Sequence, residues 1–132
     1  MNRQTILSGS RWEALAGYAR AVRIGRHLWV SGTTASDENT QPIAVGDAYG
    51  QARYIFQKIE RALQQGGGSL RDVVRTRIYL TNHADWQAVA RAHAEVFGDI
   101  RPTNTLVVVA ALIGDQYLVE IEAEAYLSEP SS

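Results

Sequence analysis

The stretch Tyr117–Leu127, YLVEIEAEAYL, leaves the chain the least choice. Val119, Ile121, Ala123, Ala125 and Leu127 alternate with Glu120, Glu122 and Glu124. A period of two sends the apolar set to one face of a strand and the carboxylates to the other. The chain must therefore build a sheet with one covered face. Three carboxylates on alternate positions repel one another unless paired. Two outcomes stay open for them: a solvated face, or a buried one on which a carboxylate with a raised pKa acts as general base toward water.

Other segments supply the rest of the sheet. ARAVRIGRHLWVSG reads as a hairpin. Arg20, Val22 and Ile24 alternate with Ala19, Ala21 and Arg23, Gly25-Arg26 makes the turn, and Leu28 and Val30 alternate with His27, Trp29 and Ser31. DVVRTRIYL is a strand with Val74, Thr76, Ile78 and Leu80 on one side and Arg75, Arg77 and Tyr79 on the other. TLVVVA, from Thr105, is apolar on both sides, which predicts burial of both faces. Helical spacing predicts one helix with the stripe Ala48, Ala52, Ile55, Phe56, Ile59, Ala62 and Leu63, capped by Asp47 and ended by Gly66-Gly67-Gly68. A second helix carries Trp86, Val89, Ala90, His93, Val96 and Phe97, with Asn82 or Asp85 as cap and Gly98 as stop. TTASDENTQPIAVG is a surface loop.

The predicted order is β-β-α-β-α-β-β, an α+β fold with both helices on one face of the sheet. No further element remains to cover the second face, so self-association through it follows, with Arg–Glu pairs across the interface compensating the charges. At 132 residues the chain suits a single domain, with a core from about residue 17 to 127 and flexible ends.

Formal net charge is -1, from 13 basic and 14 acidic residues, and the basic residues are scattered. That gives no footprint for nucleic acid or an anionic membrane. Without cysteine there is no disulfide, thiolate nucleophile or Cys-ligated zinc. No segment reads as a signal peptide or membrane span, so a cytoplasmic protein is expected. The triple glycine is no phosphate loop, because no Gly-Lys-Ser/Thr follows it. His93 reads as a packed residue with one satisfied nitrogen, and His27 and His83 have no second ligand at metal spacing. Ser31-Gly32 lacks a nucleophile elbow, so Ser31 is a hydrogen-bonding pocket residue at most. Asn104, a polar amide at the mouth of TLVVVA and just after Arg101-Pro102, stands where a site residue is sought.

GYARAVRIGRHLWVSG, SLRDVVRTRIYL and RPTNTLVVVAALIGDQYLVEIEAEA, in this order and spacing, resemble the YjgF/YER057c/UK114 (Rid) superfamily from about Gly17 to Leu127. The resemblance implies a chorismate-mutase-like (bacillary type) fold, a homotrimer around a central barrel, and small-molecule sites in clefts between subunits. It implies cofactor-independent hydrolysis of reactive imines and enamines to 2-oxo acids and ammonia. Tyr18 and Ser31 match the family's pocket residues, and Glu120 matches the carboxylate that positions water. The family holds the substrate carboxylate with an arginine at the position of Asn104, and an amide cannot reproduce that charged fork. Ala90 and Leu106 also depart from the pattern. The chain thus resembles an arginine-lacking subgroup. Three readings follow: a hydrolase or deaminase whose substrate lacks the usual α-carboxylate, a non-catalytic binding or regulatory trimer, and, last, an endoribonuclease.

Overall fold

The computed structural model describes residues 2–128. Its strands are β1 (Arg3–Ile6), β2 (Ala21–Ile24), β3 (His27–Thr33), β4 (Val73–Leu80), β5 (Thr103–Val108) and β6 (Val119–Tyr126). Its helices are α1 (Arg11–Ala16), α2 (Ala48–Gln65) and α3 (Trp86–Phe97). The strands form one sheet in the order β1-β2-β3-β6-β4-β5, antiparallel throughout except for β4 and β5. Strands β3, β4 and β5 run the same way and step across the sheet in one direction. Right-handed crossovers then place α2 and α3 on the same face. Strand β6 fills the slot left between β3 and β4.

The expected α+β architecture and the order from β2 to β6 hold. The N-terminal segment, outside the expected core, adds two elements. Strand β1 pairs with β2, and Ile6 is buried. Helix α1 starts at Ser10, whose hydroxyl accepts from Glu13 N, and ends at Gly17 with φ 75°. The last four residues lie outside the described part.

Every residue of the expected α2 stripe is buried, and Asp47 caps the helix by accepting from Gly50 N at 2.9 Å. Each fully buried large side chain in that stripe contributes about 1.5–3 kcal/mol. Helix α3 departs from its expected stripe. Val89, Ala92 and Phe97 are buried, while Trp86 is exposed, because the helix rests on one edge of α2. Asn82 caps the short turn before α3, accepting from Ala84 N, and Asp85 makes no capping bond.

Three strands differ from their patterns. In β2 the row facing the helices is Ala21 and Arg23, opposite Val30 and Leu28, while Val22 and Ile24 face away. Arg23 is buried because its guanidinium closes the end of α2: Nη1 donates to Gly66 O at 2.7 Å and Nε to Gly25 O at 2.9 Å. In β4 a bulge between Val73 and Arg75 turns Val73 inward and leaves Val74 exposed. Strand β5, read as buried on both faces, is an edge strand in the single chain, with Val107 and Val108 exposed. The Arg–Glu pairing is also made within one sheet. Arg77 Nη1 lies 2.9 Å from Glu124 Oε1 and 3.5 Å from Glu122 Oε2, and Tyr79 OH donates to Glu122.

Arg23→Met keeps most of the packing and removes the bond to Gly66 O at the α2 terminus together with the bond to Gly25 O in the β2–β3 turn. Urea unfolding should show a loss of about 1.5–3 kcal/mol, the usual worth of a hydrogen bond made by a charged group. An unchanged midpoint would show that water caps the helix equally well.

Candidate functional site

Strand β3 breaks register with β6 between Val30 and Thr33, and the break opens a cleft of about 370 Å³ beside the sheet. Gly32 and Glu120 form its floor, Tyr18 and Arg20 enter from the segment after α1, and Lys58 and Arg61 enter from α2. Trp12 of α1 and the loop residues Thr34, Ser36, Asp37 and Glu38 supply further wall. A Cβ on Gly32 would meet Glu120 Oε2, so the carboxylate occupies the space that a larger residue would take. The bulge thus brings a carboxylate against bare backbone.

Glu120 is set apart from its row. Glu122 and Glu124 are matched by Arg77 and Tyr79. Among the described residues no side chain is hydrogen-bonded to the Glu120 carboxylate. Burial pushes its pKa up; Arg20 opposes that shift and Glu122 adds to it. Arg20 donates from Nη2 to Gly32 O at 2.7 Å, while its Nε is buried without a partner. Lys58, the single lysine of the sequence, donates to Thr34 O at 2.8 Å and to Ser36 O and Oγ at 3.0 and 3.1 Å. Burial first, then Arg20 and Arg61, lower its pKa to about 8. The α2 lysine therefore ties down the loop that walls the cleft. Glu13, also buried, is satisfied by Ser8 N at 2.9 Å, by Ser8 Oγ and by Ser10 Oγ at 3.2 Å, and it ties the segment before α1 to the first turn of that helix.

Of the residues singled out from the sequence, Tyr18 and Glu120 meet in this cleft. Ser31 is adjacent to Gly32, but its hydroxyl donates to Ala19 O at 2.7 Å and fastens β3 to the chain before β2. Asn104 is placed elsewhere, exposed on the edge strand β5 beside Thr76 of β4. Its Nδ2 donates to Thr76 Oγ1 at 2.9 Å, and that oxygen lies 2.8 Å from His93 Nε2. His93 has one satisfied nitrogen, as expected, and packs between Phe56 and Phe97. Arg101 sits in the turn before β5 with φ 57°. Arg20 and Lys58 were not legible as site residues, since nothing in their spacing separates them from solvated charges. Glu13 did carry a signal, the Ser10-x-x-Glu13 pattern of a helix start. Among the described residues no group of His, Asp and Glu could hold a metal ion, and no helix is long and apolar enough to cross a membrane.

A family model described as endoribonuclease L-PSP matches residues 8–127. An uncharacterised protein of Streptomyces coelicolor, SCO2049, is 40% identical over 92% of this chain and 90% of its own length. The 3-aminoacrylate deaminase RutC of Acinetobacter baylyi is 35% identical over 96% of this chain and the whole of its own. The crystal structure of Rv2704 from Mycobacterium tuberculosis, a member of the YjgF/YER057c/UK114 family, superposes with a TM-score of 0.87 at 47% identity. That match covers 96% of this chain and all of the other.

Lys58 titrates at about 8 in the fold, against 10.5 for an unburied lysine. Between those values the folded chain binds fewer protons than the unfolded one, so stability rises with pH. The urea midpoint of the wild type should climb relative to Lys58→Met across that window. Parallel curves there would mean that the amine is not held in a dry site.

Proposed function

The chain belongs to the endoribonuclease L-PSP family, the YjgF/YER057c/UK114 (Rid) superfamily, and from that premise we propose a cofactor-independent hydrolase or deaminase of a small imine, enamine or related carbonyl metabolite. The observation that carries this reading is Glu120: a carboxylate in a cleft, unpaired where its row-mates are paired, with its pKa raised by burial. Such a group accepts a proton more readily than a solvated carboxylate does. Water adds its oxygen to the C=N carbon while Glu120 takes a proton. That proton passes to the nitrogen and gives a carbinolamine; Glu120 then takes the proton of the new hydroxyl and hands it to the amino nitrogen as the C–N bond breaks, so that ammonia and a carbonyl compound leave. An enamine enters the same path after tautomerising to its imine. The relative named 3-aminoacrylate deaminase supports this class, since its substrate is an enamine.

The substrate differs from the family's usual 2-imino acids. With Asn104 in place of an arginine, the charged bidentate hold on a carboxylate is missing, a loss of roughly 2–5 kcal/mol and about a hundredfold in rate. The protein works as a homotrimer with the sheets lining a central barrel and the cleft completed by a neighbouring subunit. What supports this is the uncovered sheet face, with Trp29 and Tyr126 exposed, and the apolar edge β5. Completion by a neighbour also brings Asn104 of one subunit to the Tyr18 and Glu120 of another.

A non-catalytic binding trimer is the second reading. It is favoured by the engagement of Asn104 Nδ2 with Thr76 instead of with open solvent. Endoribonuclease activity ranks last, because a net charge of -1 and a pI near 6.3 offer no phosphate-binding surface.

The deciding assay follows 2-oxobutyrate released from 2-iminobutyrate, generated in situ from threonine by a dehydratase with semicarbazide as competing trap. Wild type should accelerate release weakly, Asn104→Arg by at least about tenfold more, and Glu120→Gln in the Asn104→Arg background not at all. If Asn104→Arg is also inert, the binding reading takes precedence. Light scattering should give about three times the 14.5 kDa chain mass. A monomer at micromolar concentration would remove the shared cleft.

A further inference from the structure

A hydrogen-bonded chain runs from helix α3 to the outer edge of the sheet. Thr76 is completely buried on β4, between His93 of α3 and Asn104 of β5. A hydroxyl has one proton to give. Asn104 Nδ2 donates to Thr76 Oγ1 at 2.9 Å, and His93 Nε2, 2.8 Å away, is the one acceptor that the described residues offer that proton. His93 Nε2 is then an acceptor, and the neutral imidazole carries its proton on Nδ1. The surroundings suit a neutral ring. Phe56 of α2 and Phe97 of α3 flank it at centroid distances of 5.8 and 4.8 Å, and neither Thr76 nor Asn104 titrates. Burial alone lowers the His93 pKa.

The chain fixes which end of the Asn104 amide points out. With Nδ2 turned inward, Oδ1 is left facing away from the sheet edge, where the residue is exposed, together with the remaining N–H. We infer that His93 and Thr76 are positioning residues that set the polarity of Asn104, so that this position takes a primary carboxamide on the ligand and turns away a carboxylate. A carboxylate has only acceptors, and against Oδ1 it leaves two oxygens facing each other with no proton between them. A carboxamide donates an N–H to Oδ1 and accepts the leftover N–H of Asn104 at its own oxygen. The inference rests on the reading above in one respect: it takes Asn104 to face the ligand.

The test has a ligand-free arm and a ligand arm, both by NMR on the full-length nitrogen-15-labelled protein. Imidazole nitrogen shifts should show neutral His93 protonated on Nδ1. Titration should show 2-oxobutanamide binding at least about tenfold more tightly than 2-oxobutanoate, with the Asn104 side-chain amide among the shifted signals. Thr76→Val, which keeps the volume and removes the hydroxyl, should bring the ratio near one. Thr76→Ser, which keeps the hydroxyl, should restore it. A proton on Nε2 of neutral His93 overturns the inference whatever binds, because His93 then donates to Thr76 and no longer fixes which end of the Asn104 amide points inward. Equal or tighter binding of the carboxylate by the wild type also overturns it. If neither compound shifts any signal while His93 is protonated on Nδ1, the relay stands, and the selectivity falls with the placing of a ligand at Asn104.

Discussion

The placement of β6 governs the molecule. Its apolar row is packed under α2, and its carboxylate row must be neutralised by whatever β3 and β4 bring alongside. Strand β4 brings Arg77 and Tyr79, which serve Glu122 and Glu124. Strand β3 brings a bulge and a glycine and no bonding side chain, and burial raises the pKa of the Glu120 carboxylate left beside them. One strand thus carries two paired carboxylates and one that no side chain among the described residues bonds. The difference between them is made by neighbours, since the residue type is the same.

The cleft depends on charges that stabilise the fold in ordinary ways. Lys58 draws the Thr34–Ser36 segment onto α2, Arg20 holds the bulge through Gly32 O, and Glu13 fastens the Ser8–Ser10 segment to the start of α1. These are buried or half-buried ionic groups with mostly backbone partners, so their geometry is set by main-chain positions and not by mobile side chains. A site framed this way can change its ligand through a few contact residues while its walls stay fixed. Asn104 lies on β5, away from those walls.

Period and capping chemistry were legible in the chain: the α2 stripe, Asp47, the two faces of β6 and the element order all follow from local patterns. Arg23 was not, because a charge between apolar neighbours reads as solvent-facing, and only tertiary contact with the end of α2 makes it a core residue. The Val73–Arg75 bulge was hidden because alternation continues through it in the sequence. Burial of β5 on both faces was inferred from composition, whereas its place at the sheet edge is a property of topology. For the site, Glu120 and Tyr18 came from a motif and meet in space. Arg20 and Lys58 had to be found in three dimensions. The partner of Asn104, Thr76, is distant in sequence and adjacent only because β4 and β5 run parallel.

Strand order also fixes when this protein can fold during synthesis. Of the six strands the one at the middle of the sheet comes last in the chain, and β3 and β4 are joined only through it. A nascent chain can form the β1–β3 meander and its helices as local structure, but their apolar stripes have no sheet to rest on. The core closes in one late step, with the C-terminal strand inserted between two others. A chain that lacked β6 would therefore keep most of the sequence of the fold and almost none of its stability.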